Sequence, residues 1–207
     1  KSTGKSFCSG ADLKWFKEST NLSYDDSYKM NLYFANVMKS LNEAPYPTVS
    51  LIQGNTMGGG LGIISASDIA ISVKKAKFCF SEIKLGLIPA IISPYIYNKI
   101  GESNMRRLFI SGLLFDAKEA NKIGLIHEVV ENEVDLLNKE EEMMKLFSES
   151  SLNASSKCKE LIFTLPNIKS SNICEYTAEM LSEQLKSDDA KIGIQSFFDK
   201  QKPNFPL

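Results

Sequence analysis

Residues 48–72 read TVSLIQGNTMGGGLGIISASDIAIS, and this stretch decides the fold class. The β-branched and apolar run from Thr48 to Gln53 predicts a buried strand, and three consecutive glycines follow it after a short polar segment. The apolar segment from Gly59 to Ala66 predicts a short helix, and Ile69 to Val73 predicts a second strand. The order strand, helix, strand favours an α/β fold.

The rest of the chain separates into a mixed part and a helical part. An α/β core is predicted for residues 1–131 and a helical region for residues 132–207. In the core, the pattern predicts helices over Asp12 to Glu18 and Tyr24 to Leu41, and a strand over Lys77 to Phe80. Further helices are predicted over 94–100, 102–111, 133–147, 153–165, 169–186 and 189–200, with a last strand in LIHEVV at 125–130.

Composition excludes several classes of function. The chain has 207 residues, of which 24 are basic and 25 acidic, and this balance gives no electrostatic basis for binding nucleic acid or an anionic membrane. No apolar run approaches the roughly 20 residues of a membrane span. The four cysteines lack C-x-x-C spacing and there is one histidine, so we expect no zinc site, reduced thiols and a cytoplasmic protein.

The glycine triplet lies where a helix begins, although glycine in a helix costs up to about 1 kcal/mol relative to alanine. The first amides of a helix have no intrahelical acceptor, and glycine lets a ligand approach them closely. Such an amide can stabilise negative charge on a carbonyl oxygen. A second glycine turn, CSGADLKWF at 8–16, precedes another short helix. Two turns of this kind predict a pair of amide donors, while tight packing remains the alternative reason for the glycines.

Two nucleotide-binding motifs are incomplete. GKS at Gly4 to Ser6 resembles the end of a phosphate-binding loop, but a further turn follows the serine where that motif needs a helix. GGGLG fails the G-x-G-x-x-G pattern because Ile63 occupies the third glycine position. Neither motif therefore predicts a nucleotide site.

Five separated blocks of the chain form a distinctive set: FCSGADL at 7–13, the stretch at 47–72, FCFSEIKLGLIPAIISPYI at 78–96, DAKEANKIGLIHEVV at 116–130 and GIQSFFDKQKPNFP at 193–206. In their order and spacing they resemble the crotonase (enoyl-CoA hydratase/isomerase) superfamily. The resemblance implies a crotonase ββα-spiral core with a C-terminal helical trimerisation region, and a homotrimer or homohexamer. Family chains extend further at the N-terminus, so we expect part of the natural protein to precede Lys1.

The resemblance also implies roles for individual residues. The backbone amides of Ala11 and Gly59 would form an oxyanion hole for the thioester oxygen of an acyl-CoA substrate, and Glu82 would be the acid/base. The residues expected to contact coenzyme A are Ala11, Asp12, Leu13, Lys14, Phe197 and Lys200. No metal or redox cofactor is implied, since coenzyme A enters as part of the substrate.

One position departs from the family pattern. Typical hydratases have a second glutamate two positions after the glycine triplet, where this chain has Gly62. The change removes a negative charge and is expected to open space, which would suit a substrate carrying its own carboxylate. The sequence is most similar to bacterial methylglutaconyl-CoA hydratases of leucine breakdown, lyases that act on a short branched enoyl-CoA. The alternatives are an isomerase, a dehydratase or decarboxylase of branched acyl thioesters, and a non-catalytic acyl-CoA-binding protein.

Overall fold

The computed structural model describes residues 1–206, which form nine helices and seven strands. The strands are β1 (Ser6–Cys8), β2 (Val49–Ile52), β3 (Asn55–Met57), β4 (Ile69–Val73), β5 (Lys77–Cys79), β6 (Phe115–Asp116) and β7 (Glu128–Val130). The helices are α1 (Leu13–Ser19), α2 (Tyr24–Asn42), α3 (Gly59–Ala66), α4 (Ser93–Ser111), α5 (Ala117–Lys122), α6 (Glu133–Ser148), α7 (Leu152–Thr164), α8 (Ile173–Lys186) and α9 (Asp188–Phe198).

The strands form two small sheets that are mostly parallel. One has the order β1-β3-β5-β6, in which only the β5–β6 pair is antiparallel, and the other has the order β2-β4-β7 with all strands parallel. From β1 to β5 consecutive strands alternate between the sheets, so the chain crosses repeatedly from one sheet to the other. The α/β class expected from the sequence is confirmed.

Residues 49–80 contribute about half of the buried apolar core. Ile52, Leu61, Ile64 and Phe78 are fully buried, and the strands that contain Ile52 and Phe78 belong to different sheets. Helix α3 packs against α2 and α4. The short helix that carries the glycines is therefore an internal element of the fold.

The chain divides into two compact units. The first comprises Lys1–Ala44 and Thr48–Glu140, and the second comprises Pro45–Pro47 and the chain from Glu141 onward. The second unit contains a buried polar pair: Ser151 donates a hydrogen bond through Oγ to Asp189, and the same Oγ accepts from the Ala154 amide at 2.9 Å. Ser151 is the N-cap of α7, so this pair joins the start of α7 to α9.

Helix α4 is bent where the sequence predicted a break between two helices. Gly101 has φ 70° and ψ 168°, and its backbone is therefore not helical. Helical geometry resumes after it and ends at Gly112, which has left-handed geometry. In the described range 1–206, no helix combines the length and apolar character that crossing a bilayer requires.

Candidate active site

Three parallel strands bring the candidate residues to one edge of a sheet. Strand β3 lies between β1 and β5, with Cys8 paired to Thr56 and Met57 paired to Cys79. The carboxyl ends of adjacent parallel strands meet at the same edge, where α/β proteins commonly bind ligands. The segments that follow these three strands contain Ala11, Gly59 and Glu82. The topology therefore brings together the three residues expected to carry the chemistry.

Each glycine of the triplet has a different environment. Gly58 has φ 52°, in the left-handed region, and a Cβ there would lie 3.3 Å from Oε1 of Glu82. A Cβ on Gly59 would meet no atom within 4 Å, and Gly59 is exposed between two buried neighbours. A Cβ on Gly60 would lie 2.5 Å from Cβ of Cys8 and 2.8 Å from Cγ2 of Thr56. Gly60 therefore faces packed strand residues, and tight packing is the reason for glycine at this position.

Glu82 begins a 3-10 turn, Glu82–Leu85, that follows β5. Its carboxyl group is partly buried, and Oε2 is inaccessible to solvent and has no hydrogen-bond partner among residues 1–206. Burial raises the pKa of this carboxyl group, while a hydrogen bond from its own backbone N–H acts in the opposite direction. A raised carboxyl pKa is typical of a catalytic acid/base.

The segment after β1 exposes backbone and side chains together. Gly10 has φ 99°, and Ala11 to Lys14 are exposed. Asp12 is the N-cap of α1, and its Oδ1 accepts a hydrogen bond from the Lys14 amide at 2.7 Å. The Asp12 carboxylate therefore caps the helix, while the side chain of Leu13, 64% exposed, is available to a ligand.

The Ala11 and Gly59 amides are available as donors. Within residues 1–206, neither N–H has a protein acceptor. Gly59 is the first residue of α3, where amides point out from the positive end of the helix. Two free amides and a partly buried carboxylate along one sheet edge can polarise a carbonyl group and move a proton beside it.

The space expected at Gly62 is filled. A Cβ on Gly62 would lie 2.2 Å from Cγ2 of Ile92 and 3.2 Å from Cε of Met38. Both side chains are buried, at 5% and 8% exposure. The expectation that Gly62 opens space for a substrate is therefore wrong, because Ile92 and Met38 occupy the volume that a longer side chain would need. The loss of a negative charge at this position remains.

Phe197 and Lys200 lie in the second unit. Phe197 is near the end of α9 and is 80% exposed, and Lys200 follows the helix with φ 54°. The Lys200 amide donates to the Phe197 carbonyl at 3.2 Å, so the two residues belong to one C-terminal turn. Their contact with coenzyme A remains a prediction.

Sequence reasoning missed a partly buried lysine at the other end of α3. Lys99, on α4, donates through Nζ to the carbonyl oxygens of Ser67 at 3.0 Å and Ile64 at 3.4 Å. Burial lowers the pKa of Lys99 to about 8, and the nearby carboxylate of Asp68 acts in the opposite direction. The available signal was the spacing: Lys99 lies three residues after Ile96, on the apolar face of its helix.

His127 has a structural contact. Its Nδ1 accepts a hydrogen bond from the Ala70 amide at 3.0 Å. Desolvation lowers the pKa of His127, with Lys99 as a second cause in the same direction. Among the described residues, no group of three histidine, cysteine, aspartate or glutamate side chains could hold a metal ion.

The site combines exposed glycine-turn amides with a partly buried glutamate on a parallel α/β scaffold. This combination defines a class of candidate enzymes, and comparison with known proteins gives the family. Residues 1–206 match the profile of the family described as enoyl-CoA hydratase/isomerase. The chain belongs to this family, which is the crotonase family.

Individual relatives agree in both sequence and fold. An enoyl-CoA hydratase from Shewanella pealeana is 33% identical, with a TM-score of 0.92 over 97% of this chain and 75% of its own. A structure described as an enoyl-CoA hydratase/isomerase (crotonase) from Legionella pneumophila is 36% identical, with a TM-score of 0.89 over 98% and 78%. A Bacillus subtilis protein named "Probable enoyl-CoA hydratase" is 29% identical over 98% of this chain and 78% of its own. The crotonase fold expected from the sequence is confirmed.

Proposed function

We propose that this protein is an enoyl-CoA hydratase that adds water syn across the 2,3 double bond of a short branched enoyl-CoA. The observation that carries the proposal is Glu82, a partly buried carboxylate with an unpartnered oxygen, which lies against Gly58 at the start of α3. The names of the relatives support the same activity.

The first step would use the two free amides. When water attacks C3 of the enoyl group, electrons move through the 2,3 double bond onto the thioester oxygen. The N–H groups of Ala11 and Gly59 would donate hydrogen bonds to that oxygen as its negative charge develops. One such donor contributes on the order of 10²–10³ in rate.

Glu82 would handle both protons. Its carboxylate takes a proton from the attacking water as the C3–O bond forms, and the resulting carboxylic acid delivers a proton to C2. The product is the 3-hydroxyacyl thioester, and the carboxylate is regenerated. The raised pKa of Glu82 favours both steps, because it makes the carboxylate a stronger base and keeps it within range of protonation during turnover.

For the acyl group we propose 3-methylglutaconyl-CoA, an intermediate of leucine breakdown. Position 62 holds no carboxylate, and the side chains that occupy its space, Ile92 and Met38, are apolar. A second glutamate in this place would repel a substrate carboxylate, since two negative charges about 4 Å apart raise the energy by several kcal/mol at an effective dielectric constant near 20. The missing negative charge at position 62 therefore supports a carboxylated substrate, while the filled volume around it does not.

The test is hydration measured by loss of enoyl-thioester absorbance, with 3-methylglutaconyl-CoA and crotonyl-CoA compared on the same protein. We expect faster turnover of the carboxylated substrate. Glu82→Gln should lower the rate by about 10²–10⁴-fold. Glu102→Gln is the matched control, because Glu102 is an exposed residue paired with Arg106 on α4, and its rate should equal the wild-type rate.

The other outcomes would each overturn part of the proposal. Faster hydration of crotonyl-CoA would refute the carboxylated substrate. A product whose double bond has moved, without added water, would identify an isomerase that uses Glu82 as its only base. Binding of both thioesters without turnover would identify a non-catalytic acyl-CoA-binding protein.

We propose a homotrimer or a homohexamer in the cytoplasm. Large apolar side chains of the second unit support assembly, among them Leu181 at 62% and Phe198 at 74% exposure. Light scattering after size-exclusion chromatography would measure the assembly. A monomeric mass would contradict the expectation.

A further inference from the structure

Few local interactions stabilise helix α3. It contains eight residues, and its N-cap, Gly58, has no side chain with which to accept a hydrogen bond. Isolated helices of this length are unstable in water, so α3 depends on contacts from other elements. Because its first residue is Gly59, any movement of the helix would move the proposed oxyanion donor.

The C-terminal end of α3 is held by side chains. The Ser67 amide and its Oγ both donate to the Ile63 carbonyl, at 3.1 Å and 2.9 Å. Lys99 donates to the carbonyls of Ile64 and Ser67. A partly buried cation at this position satisfies terminal carbonyls and complements the negative end of the helix dipole.

We propose that Lys99 is a positioning residue, whose ammonium group fixes the C-terminal end of α3 and thereby holds the Gly59 amide in place for the reaction at the other end of the helix. This inference rests on the proposed function. Eight residues span about 12 Å, so Lys99 acts through the helix and does not touch the substrate.

Few charged or titratable groups surround Lys99. Helix α3 carries no titratable side chain. The segment before β4 contributes Asp68, whose Oδ2 accepts from the Thr48 amide at 2.7 Å. The segment before β7 contributes His127. On α4 itself, Tyr95 lies about one turn before Lys99, and Glu102 follows the bend at Gly101. The charge state of Lys99 is therefore set mainly by burial and by Asp68, and its pKa of about 8 lies near the pH of an ordinary assay.

The experiment compares Lys99→Met with Lys99→Arg, which retains the charge, and with Lys74→Met. Lys74 is the control because it is exposed and pairs with Glu131 at the surface. Lys99→Met should lower kcat by about threefold to tenfold with KM changed less than about twofold, because the lost interaction acts on the transition state. Lys99→Arg should restore most of the rate, and Lys74→Met should match the wild type.

The pH profile separates positioning from a purely structural role. Wild-type kcat should fall as pH rises through about 8, because Lys99 loses its positive charge there. Lys99→Met should lack this alkaline limb, and Lys99→Arg should shift it to higher pH. A limb that persists in Lys99→Met would overturn the proposal, as would an unchanged kcat.

A second readout does not depend on turnover. Amide hydrogen exchange in α3 should be at least threefold faster in Lys99→Met than in wild type, while exchange in α8 stays the same. If the amides of α3 exchange equally fast in Lys99→Met and in wild type, Lys99 does not fix the helix, even if the wild type hydrates enoyl-CoA. Conversely, a wild-type protein without hydratase activity would refute the proposed function, and the exchange experiment would still decide whether Lys99 fixes α3.

Discussion

The same substitution at two glycines of α3 should have opposite consequences. In Gly62→Ala the new Cβ would lie 2.2 Å from Cγ2 of Ile92, whereas carbon atoms pack best about 3.5–4.0 Å apart. Ile92 is buried and β-branched, so it has few other rotamers to adopt. Relief of the overlap therefore requires movement of the backbone or of neighbouring core residues.

The expected magnitude follows from two opposing effects. An overlap of this severity should destabilise the folded protein by about 3 kcal/mol, the upper end of the usual range for overpacking. The higher helix propensity of alanine offsets about 1 kcal/mol of this loss. The net loss of about 2 kcal/mol predicts a Tm roughly 4–8 °C lower in a protein of this size. In Gly59→Ala the Cβ meets no atom within 4 Å, and the Tm should stay within about 2 °C of wild type.

Activity should fall more in Gly59→Ala than in Gly62→Ala, the opposite of the order expected for stability. Gly59→Ala places a methyl group beside the proposed oxyanion donor, and kcat/KM should fall at least about tenfold. Thermal unfolding and initial rates, measured on the same preparations, provide the comparison. A double-mutant cycle of Gly62→Ala with Ile92→Ala should show favourable coupling of about 1 kcal/mol or more. Equal Tm values for wild type and Gly62→Ala would refute the packing argument.

Three further predictions concern titration and capping. Because the pKa of Glu82 is raised above its ordinary value of 4.5, kcat/KM should fall as pH drops through the raised value and the base becomes protonated, which a pH–rate profile would measure. The pKa of Lys99 is about 8 in the folded protein and has an ordinary value of 10.5. Between pH 8 and pH 10.5 the unfolded chain therefore binds more protons than the folded protein, so the stability of wild type relative to Lys99→Met should rise with pH across this range. Urea titrations at several pH values would measure it. Ser151→Ala removes the N-cap of α7 and a hydrogen bond to the buried Asp189, and should lower the free energy of unfolding by about 1–3 kcal/mol; an unchanged urea midpoint would contradict this role.

Local sequence patterns predicted several elements of the α/β core with their bounds. The helix over Gly59 to Ala66 and the strand over Ile69 to Val73 have the predicted bounds, and the break in the helical region after Ile100 coincides with Gly101. Strand β3 was not predicted. It contains only three residues, and its backbone is extended because β1 and β5 pair with it on either side. Such pairing is a property of distant segments and leaves no period in the strand itself.

In the candidate site, too, some features were predictable from the sequence and others were not. The resemblance to the family, and no local pattern, assigned Glu82 and the glycine triplet to one site, and a Cβ on Gly58 would lie 3.3 Å from Oε1 of Glu82. The partners of Gly62 did not follow from the sequence: Met38 and Ile92 are 24 and 30 residues away along the chain, and a glycine is compatible with either an empty or a filled neighbourhood. Only the packing of α2 and α4 against α3 decides between them.

The packing around α3 restricts where new specificity can arise. The helix is in close contact with strand residues at Gly60 and with core side chains at Gly62, so substitutions along its buried faces are selected first for stability. The segment that follows Glu82 is different: Leu85 is 53% exposed and Ile88 is 73% exposed. A library for altered acyl preference should therefore vary residues 83–88 and leave the helix intact. Divergence between proteins with this scaffold is expected to accumulate in the same short segment.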